Sequence, residues 1–341
     1  MHSPTSAEYH STMRRFRRVM LFALASGIVV FLIVPFLVPV ESSGTLTPEQ
    51  AAGQDAQFVT LAGLQVHVET ADYSGDCGCT PPLIVLMHGF GASTFSWRDE
   101  LQPFARVADV IAYDRPGFGF TERPTQWQGA NPYGIPGNLA VLDALLATFA
   151  QGREVILVGH SAGGQLAAEY ARVNPDKVAR LVLVSPAIFT SGGLPGWLAP
   201  ILTIAQIDRL GPLAVASIAS SGDELLRQSF FDQSALTESV LAGYRRPLTV
   251  KGWEEGLWRV TTAPRDNDLL ANLAMITQPT LLITGDSDTV VPTSDTERLE
   301  TELPHAQLVV IPRSGHLAHE EVPDQFIAAV LDWIARTATP L

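Results

Sequence analysis

Val155-Ile156-Leu157-Val158-Gly159-His160-Ser161-Ala162-Gly163 runs from an apolar strand into a G-x-S-x-G turn. A serine held at such a turn takes a strained backbone conformation that lifts its hydroxyl out of the sheet edge, and the flanking glycines let strand and helix pack closely. The same five residues also suit an ordinary loop. The strand before them and the helix-forming stretch Gln165 to Arg172 after them argue for a nucleophile turn, with Ser161 as the candidate nucleophile.

Outward from this turn the same alternation repeats. Leu83-Ile84-Val85-Leu86, Val110-Ile111-Ala112-Tyr113, Leu181-Val182-Leu183-Val184, Leu281-Leu282-Ile283 and Leu308-Val309-Val310-Ile311 are continuous apolar runs, as expected of strands buried on both faces. Ala140 to Phe149, Gln165 to Arg172, Ser294 to Leu303 and Asp324 to Arg336 read as the helices between them. Strand and helix in repetition predict an α/β fold with a mostly parallel, doubly wound sheet. Phe58-Val59-Thr60-Leu61 and Leu64-Gln65-Val66-His67-Val68 alternate at period two around Ala62-Gly63 and predict an opening antiparallel hairpin. The core is therefore expected over 57–185 and again over 273–341. Between them 186–272, rich in Leu, Ala, Trp and Gly with helical patterning, reads as an inserted helical cap. Its Trp197, Trp253, Trp258, Phe230 and Phe231 are candidates for an apolar pocket, although each taken singly fits cap core better.

The amino terminus differs in kind. Arg14, Arg15, Arg17 and Arg18 precede an uncharged apolar stretch over 19–40. A helix needs about 20 residues to cross the hydrocarbon core of a bilayer. Residues 19–40 are thus expected to be a single transmembrane anchor, with basic residues 1–18 cytoplasmic and the remainder exported. Pro35 and Pro39 are expected to end or kink the helix early. A cleaved signal peptide is the competing reading, and no A-x-A site follows Val40. Residues 41–56, with Ser42, Ser43, Gly44, Pro48 and Gly53, have the composition of a loose linker.

With 46% hydrophobic and 17% charged residues, the 341-residue chain is globular in composition rather than disordered. Beyond residue 40 it carries 18 basic against 34 acidic residues, a net of −16. So acidic a domain argues against nucleic acid as a partner, since phosphates favour basic surfaces. Cys77 and Cys79 are the only cysteines. A C-x-C bridge closes a strained small ring and two thiols make a poor zinc site, so incidental thiols on a surface loop are expected, with an oxidised pair as the alternative. No metal or other cofactor is expected.

A serine nucleophile needs a base within hydrogen-bond reach and a third group to orient that base. His316, in Ser314-Gly315-His316 just past the last expected strand, is the leading base. His88, His160 and His319 compete and read as structural. The orienting carboxylate is expected in Gly285-Asp286-Ser287-Asp288, after Leu281-Leu282-Ile283, and spacing leaves Asp286 and Asp288 open. Donors for a developing oxyanion are expected from the N–H groups of Phe90, in His88-Gly89-Phe90-Gly91, and of Ala162, with a plain strand-to-helix turn as the alternative. Asp114-Arg115-Pro116-Gly117-Phe118-Gly119 reads as structural.

Taken together, the 88–91, 114–119, 159–164 and 314–316 motifs and the stretch from Gly285 to Pro292 resemble the α/β-hydrolase superfamily in its capped branch, over about residues 57 to 336. That resemblance implies Asp288 as the acid, through the family's G-x-x-D-x-x-V-P pattern. It also implies a Ser161, Asp288, His316 triad acting on an ester or related acyl bond without a cofactor. Serine at the turn sets the chain apart from the dehalogenases and epoxide hydrolases, which carry aspartate there. The substrate implied is a small acyl compound, lipid-like if the cap aromatics and the membrane bear on it. A carbon-carbon bond hydrolase, a cofactor-free perhydrolase and a ligand-binding or scaffold protein are the alternatives on the same fold.

Overall fold

The computed structural model describes residues 6–76, 78, 80–189, 198–219, 222–264 and 268–337. Cys77, Cys79 and Trp197 lie outside them. Among the described residues eight strands form one sheet: β1 (Gln57–Leu61), β2 (Leu64–Ala71), β3 (Leu83–Met87), β4 (Asp109–Tyr113), β5 (Val155–His160), β6 (Arg180–Val184), β7 (Thr280–Gly285) and β8 (Ala306–Ile311). Their spatial order is β1-β2-β4-β3-β5-β6-β7-β8. β1 and β2 form the expected hairpin, β2 runs antiparallel to β4, and every other pairing is parallel.

Helices α1 (Ser6–Leu37) and α2 (Pro48–Ala52) precede the sheet, and α3 (Leu101–Phe104), α4 (Ile135–Phe149) and α5 (Ala162–Val173) follow β3, β4 and β5. Between β6 and β7 lie α6 (Ala199–Leu202), α7 (Ala205–Ala219), α8 (Gly222–Ser229), α9 (Glu238–Arg245) and α10 (Trp253–Thr262), the helical cap. The chain closes with α11 (Thr293–Glu302), α12 (Ala318–Glu321) and α13 (Pro323–Thr337). α4 starts five residues before its expected position because Pro136 falls in its first turn, where a missing N–H leaves no bond unmade.

Burial on both faces explains the continuous apolar runs. Along β5, Val155 and Leu157 pack with Leu142, Leu145 and Leu166 of α4 and α5, while Ile156 and Val158 pack with Phe104 of α3 and Phe326 of α13. Each such side chain removed from water contributes about 1.5–3 kcal/mol. β8 departs from the expectation. It is the edge strand, so Leu308-Val309-Val310 are only partly covered or exposed and Ile311 alone is buried.

The amino terminus also departs from it. α1 is continuous from Ser6 to Leu37, so the arginines expected in a separate basic segment are helical, and the helix takes in Pro35 before stopping short of Pro39. Met13–Leu37, with mean hydropathy 2.7, is long and apolar enough to cross a membrane.

The segment expected to be a loose linker is folded onto the cap. Glu254 of α10 accepts hydrogen bonds from Ser42 Oγ (2.6 Å), Ser43 N (2.6 Å) and Ser43 Oγ (2.7 Å). Ser43 Oγ also accepts from Trp253 Nε1 at 3.0 Å. Gly44 lies so close to the Val250 carbonyl that a Cβ would overlap it. Farther on, α2 starts with a Thr47–Gln50 capping box, and Ala51 is buried against Phe120 and Val250. The small polar residues that suggested flexibility are there for close approach and hydrogen bonding.

Candidate active site

Parallel pairing carries the C-terminal ends of β3, β5, β7 and β8 to one edge, where ligand sites of open α/β sheets form. The loops after these strands hold the residues singled out above. Met87 pairs with Gly159, so the His88 loop and the Ser161 turn leave the sheet side by side.

Ser161 has φ 51° and ψ −117°, a conformation costly for a side chain other than glycine. The glycines around it are required by contact. A Cβ at Gly159 would come within 2.6 Å of the Gly163 carbonyl oxygen, and one at Gly163 would overlap the Met87 carbonyl. The turn is further stitched to the root of the cap. Ser161 N donates to Val184 O at 2.9 Å, Ala187 N donates to Ser161 O at 3.1 Å, and Gly164 packs on Pro186.

Of the two aspartates that spacing left open, Asp288 is the one that reaches His316. His316 Nδ1 donates to Asp288 Oδ2 at 2.8 Å, and the other carboxylate oxygen accepts from the N–H groups of Val290 and Val291, both at 2.9 Å. Both residues are buried. With Nδ1–H committed to the carboxylate, Nε2 is the basic nitrogen. Asp286 instead accepts from Ser287 Oγ and Arg313 N in an exposed turn. Ser161 Oγ and His316 are not hydrogen-bonded to each other among the described residues, a link that commonly tightens only with substrate bound.

At the expected oxyanion donors, the N–H groups of Phe90 and Ala162 donate to no protein acceptor among the described residues. The direction of the first is set by Arg115. Its Nε donates to His88 O and its Nη2 to Gly89 O, each at 2.9 Å. His88 Nδ1 adds a bond to Gly89 O at 2.7 Å. The peptide is planar and trans, so a Gly89 carbonyl drawn toward Arg115 turns the Phe90 N–H the opposite way. Arg115 N–H donates to His88 Nε2 at 3.0 Å, which requires a neutral imidazole there. Burial, followed by the nearby Arg115 charge, lowers the His88 pKa to about 3.

Asp114, the residue before Arg115, is itself tied down by its carboxylate. It accepts from Thr94 N (2.7 Å), Phe120 N (2.7 Å) and His67 Nδ1 (2.9 Å), and Gly119 at φ 52° leaves no room for a Cβ beside the carboxylate. Burial pushes the Asp114 carboxyl up, and the hydrogen bond and charge of His67 outweigh this to hold it below the usual range. The 114–119 motif is structural, as the sequence suggested, but its arginine holds the carbonyls of the 88–91 loop. An arginine inside a glycine-rich turn at a strand end was the available signal.

His160 and His319 stay outside the His316–Asp288 pair. His160 Nε2 donates to the His316 carbonyl at 3.0 Å, and its ring lies 4.6 Å from that of His316 and 4.7 Å from that of His319. Burial first, then the neighbouring imidazoles, hold His160 well below the ordinary histidine range. Burial and Arg98 do the same for His319.

A cleft opens beside the 88–91 loop, between Gly91, Ala92 and Phe118 on one side and Leu248, Trp253 and Leu257 of the cap on the other. Of the expected cap aromatics Trp253 lines it. Trp258 is cap core, packed with Val215 and bonded through Nε1 to Asp208 at 2.8 Å. Phe230 is buried and Phe231 is exposed.

Comparison with known proteins agrees with this architecture. Residues 82–323, well over half of the chain, match the family described as alpha/beta hydrolase fold. An uncharacterized hydrolase, YugF, of Bacillus subtilis is 29% identical over 280 residues, covering 81% of this chain and 96% of that protein. The 2-hydroxy-6-oxo-2,4-heptadienoate hydrolase of Pseudomonas putida is 30% identical over 288 residues, covering 82% and 96%. In fold, the chain is similar to a thermophilic esterase from Thermogutta terrifontis, with TM-score 0.66 at 20% identity over 84% of this chain and all of that one. On its sheet, its strained serine turn and this match, the chain belongs to the alpha/beta hydrolase family.

Proposed function

We propose that the chain is a serine hydrolase, anchored in the membrane by α1 with its amino terminus cytoplasmic and its sheet domain exported, that cleaves a carboxylic ester or related acyl bond. The observation that carries this reading is the His316–Asp288 bond at the sheet edge that also bears the strained Ser161. Asp288 fixes the imidazole tautomer and stabilises the imidazolium. His316 Nε2 takes the Ser161 proton as Oγ attacks the carbonyl carbon, and the Phe90 and Ala162 N–H groups receive the oxyanion, a donor of this kind contributing roughly 3 to 4 kcal/mol. Collapse breaks the acyl-oxygen bond while His316 returns the proton to the leaving alkoxide. Water, deprotonated by His316, then releases the acid and restores Ser161. Ser161→Ala should abolish turnover of short p-nitrophenyl esters; retained activity rejects the mechanism.

A second reading is a carbon-carbon bond hydrolase acting on a vinylogous diketone, favoured by relatives named as hydrolases of 2-hydroxy-6-oxo-dienoates. Turnover of such a dienoate with none of any ester selects it. Fluorophosphonate labelling of Ser161 tests either enzyme against a scaffold with a disarmed site. Retention of α1 in carbonate-washed membranes tests the anchor against a cleaved signal peptide.

A further inference from the structure

The segment between α1 and the sheet is short and bound at both ends. α1 stops at Leu37, the Val38 carbonyl accepts from Arg209 Nη2 of α7 at 3.4 Å, and Ser42 is already bonded to Glu254. Five peptide steps from Leu37 to Ser42 reach at most about 18 Å. Glu254 is thereby held near the end of the apolar helix, and Trp253 and Leu257, beside it on α10, line the cleft. The grip is polar and buried. Glu254 is 3% exposed, and although burial pushes its carboxyl up, the bonds from Ser42 and Ser43 outweigh this and lower it, so the clasp stays ionised at neutral pH.

The part of the cap nearest α1 is apolar on its outside. The end of α1 packs on α7, with Pro35 buried. On and just before α7, Ile201, Ile204 and Leu213 are about two-fifths exposed. Apolar side chains left uncovered next to a membrane-crossing helix match the acyl boundary of the bilayer from which that helix emerges.

We propose that residues 38–52 are a strap that seats the cap on the bilayer surface, so that the cleft draws its substrate from the leaflet: an ester amphiphile partitioned in lipid rather than a freely dissolved ester. This rests on the anchored serine hydrolase reading. Chain reach and clasp hold α10 close to the end of α1, and the exposed apolar side chains lie on and just before α7, the cap helix that α1 packs against.

The test uses the full chain in phosphatidylcholine nanodiscs with two reporters, dissolved p-nitrophenyl butyrate and disc-held p-nitrophenyl palmitate. A Gly/Ser segment of about 15 residues, averaging about 20 Å end to end, is inserted between Leu37 and Val38, upstream of the clasp. Palmitate turnover should fall about 10-fold as effective concentration drops, with butyrate turnover within about two-fold of the parent. Ile201→Asp with Ile204→Asp should act in the same sense. Unchanged use of both reporters in both variants overturns the proposal. A parent chain inert on both esters rejects the ester-hydrolase reading on which the proposal rests, and one that washes off the discs rejects the anchor.

Discussion

His160, immediately before Ser161, donates its Nε2–H to the main-chain carbonyl of His316, the proposed base, at 3.0 Å. The serine turn and the histidine loop are thus tied by a bond that involves neither Ser161 Oγ nor the His316 ring. His160→Ala leaves the buried carbonyl unpaired and lets the base drift. We expect kcat on p-nitrophenyl butyrate to fall about 10- to 100-fold with KM little changed, since small misplacements of this kind cost up to about 10²-fold. His160→Gln, which keeps a donor near the Nε2 position, should recover most of the loss. A matching fall in KM and kcat for both variants would falsify a positioning role.

The carboxylates of the acid loop should separate cleanly. Asp288→Asn removes the group that fixes the His316 tautomer, and ester turnover should drop roughly 10³- to 10⁴-fold. Asp286→Asn touches an exposed turn and should leave kcat within about two-fold, as surface changes usually do. Steady-state kinetics on one ester, with circular dichroism to check folding, distinguishes the two.

Arg115→Lys tests the oxyanion loop. A lysine keeps the charge but not the fork that holds the His88 and Gly89 carbonyls together. Loss of one aligned donor is expected to lower kcat about 10²-fold. Slower fluorophosphonate labelling of Ser161 should accompany it, because phosphonylation uses the same donors. Labelling at the parent rate would locate the loop's support elsewhere.

Stability should depend on the three buried neutral histidines. His88, His160 and His319 all have folded-state pKa values below the ordinary 6.5, His88 at about 3. Their contribution is complete above the unfolded value and is lost as pH falls from there toward the folded value, because only the unfolded chain takes up the protons. Each adds a slope of about 1.4 kcal/mol per pH unit in that window. Glu100 and Glu320, raised by burial, act in the opposite sense. His319→Gln should therefore make the fall of Tm between pH 6.5 and 5 shallower than in the parent by about 2 °C or more per pH unit. Parallel Tm curves would show that His319 does not titrate on unfolding.

The sheet was largely legible because strands buried on both faces and helices between them leave periodicities that single residues cannot disguise. β8 misled for the same reason: an apolar run looks alike at a sheet edge and at its centre. The serine turn and the strand-end position of His316 were readable as spacing, but the choice between Asp286 and Asp288 depends on which carboxylate the folded loop turns inward. Arg115 and His160 read as structural in the sequence, and nothing there marks their partners, which are backbone carbonyls that every residue has. The strap escaped for a related reason. Ser42, Ser43 and Gly44 have linker composition, and only the buried Glu254, more than 200 positions away, makes them a binding surface.

The stitching of the serine turn to Val184 at the end of β6 and to Pro186 and Ala187 just beyond it ties the proposed nucleophile to the root of the insertion. A second tie lies deeper in the insertion, where His316 N donates to Ser229 O at the end of α8 at 2.8 Å, so the cap holds the histidine loop as well as the serine turn. A cap helix cannot then be exchanged without regard to the chemistry: whatever sequence replaces α8 has to present a carbonyl where Ser229 does, and the freedom to vary substrate lies in the cap side chains rather than in that backbone.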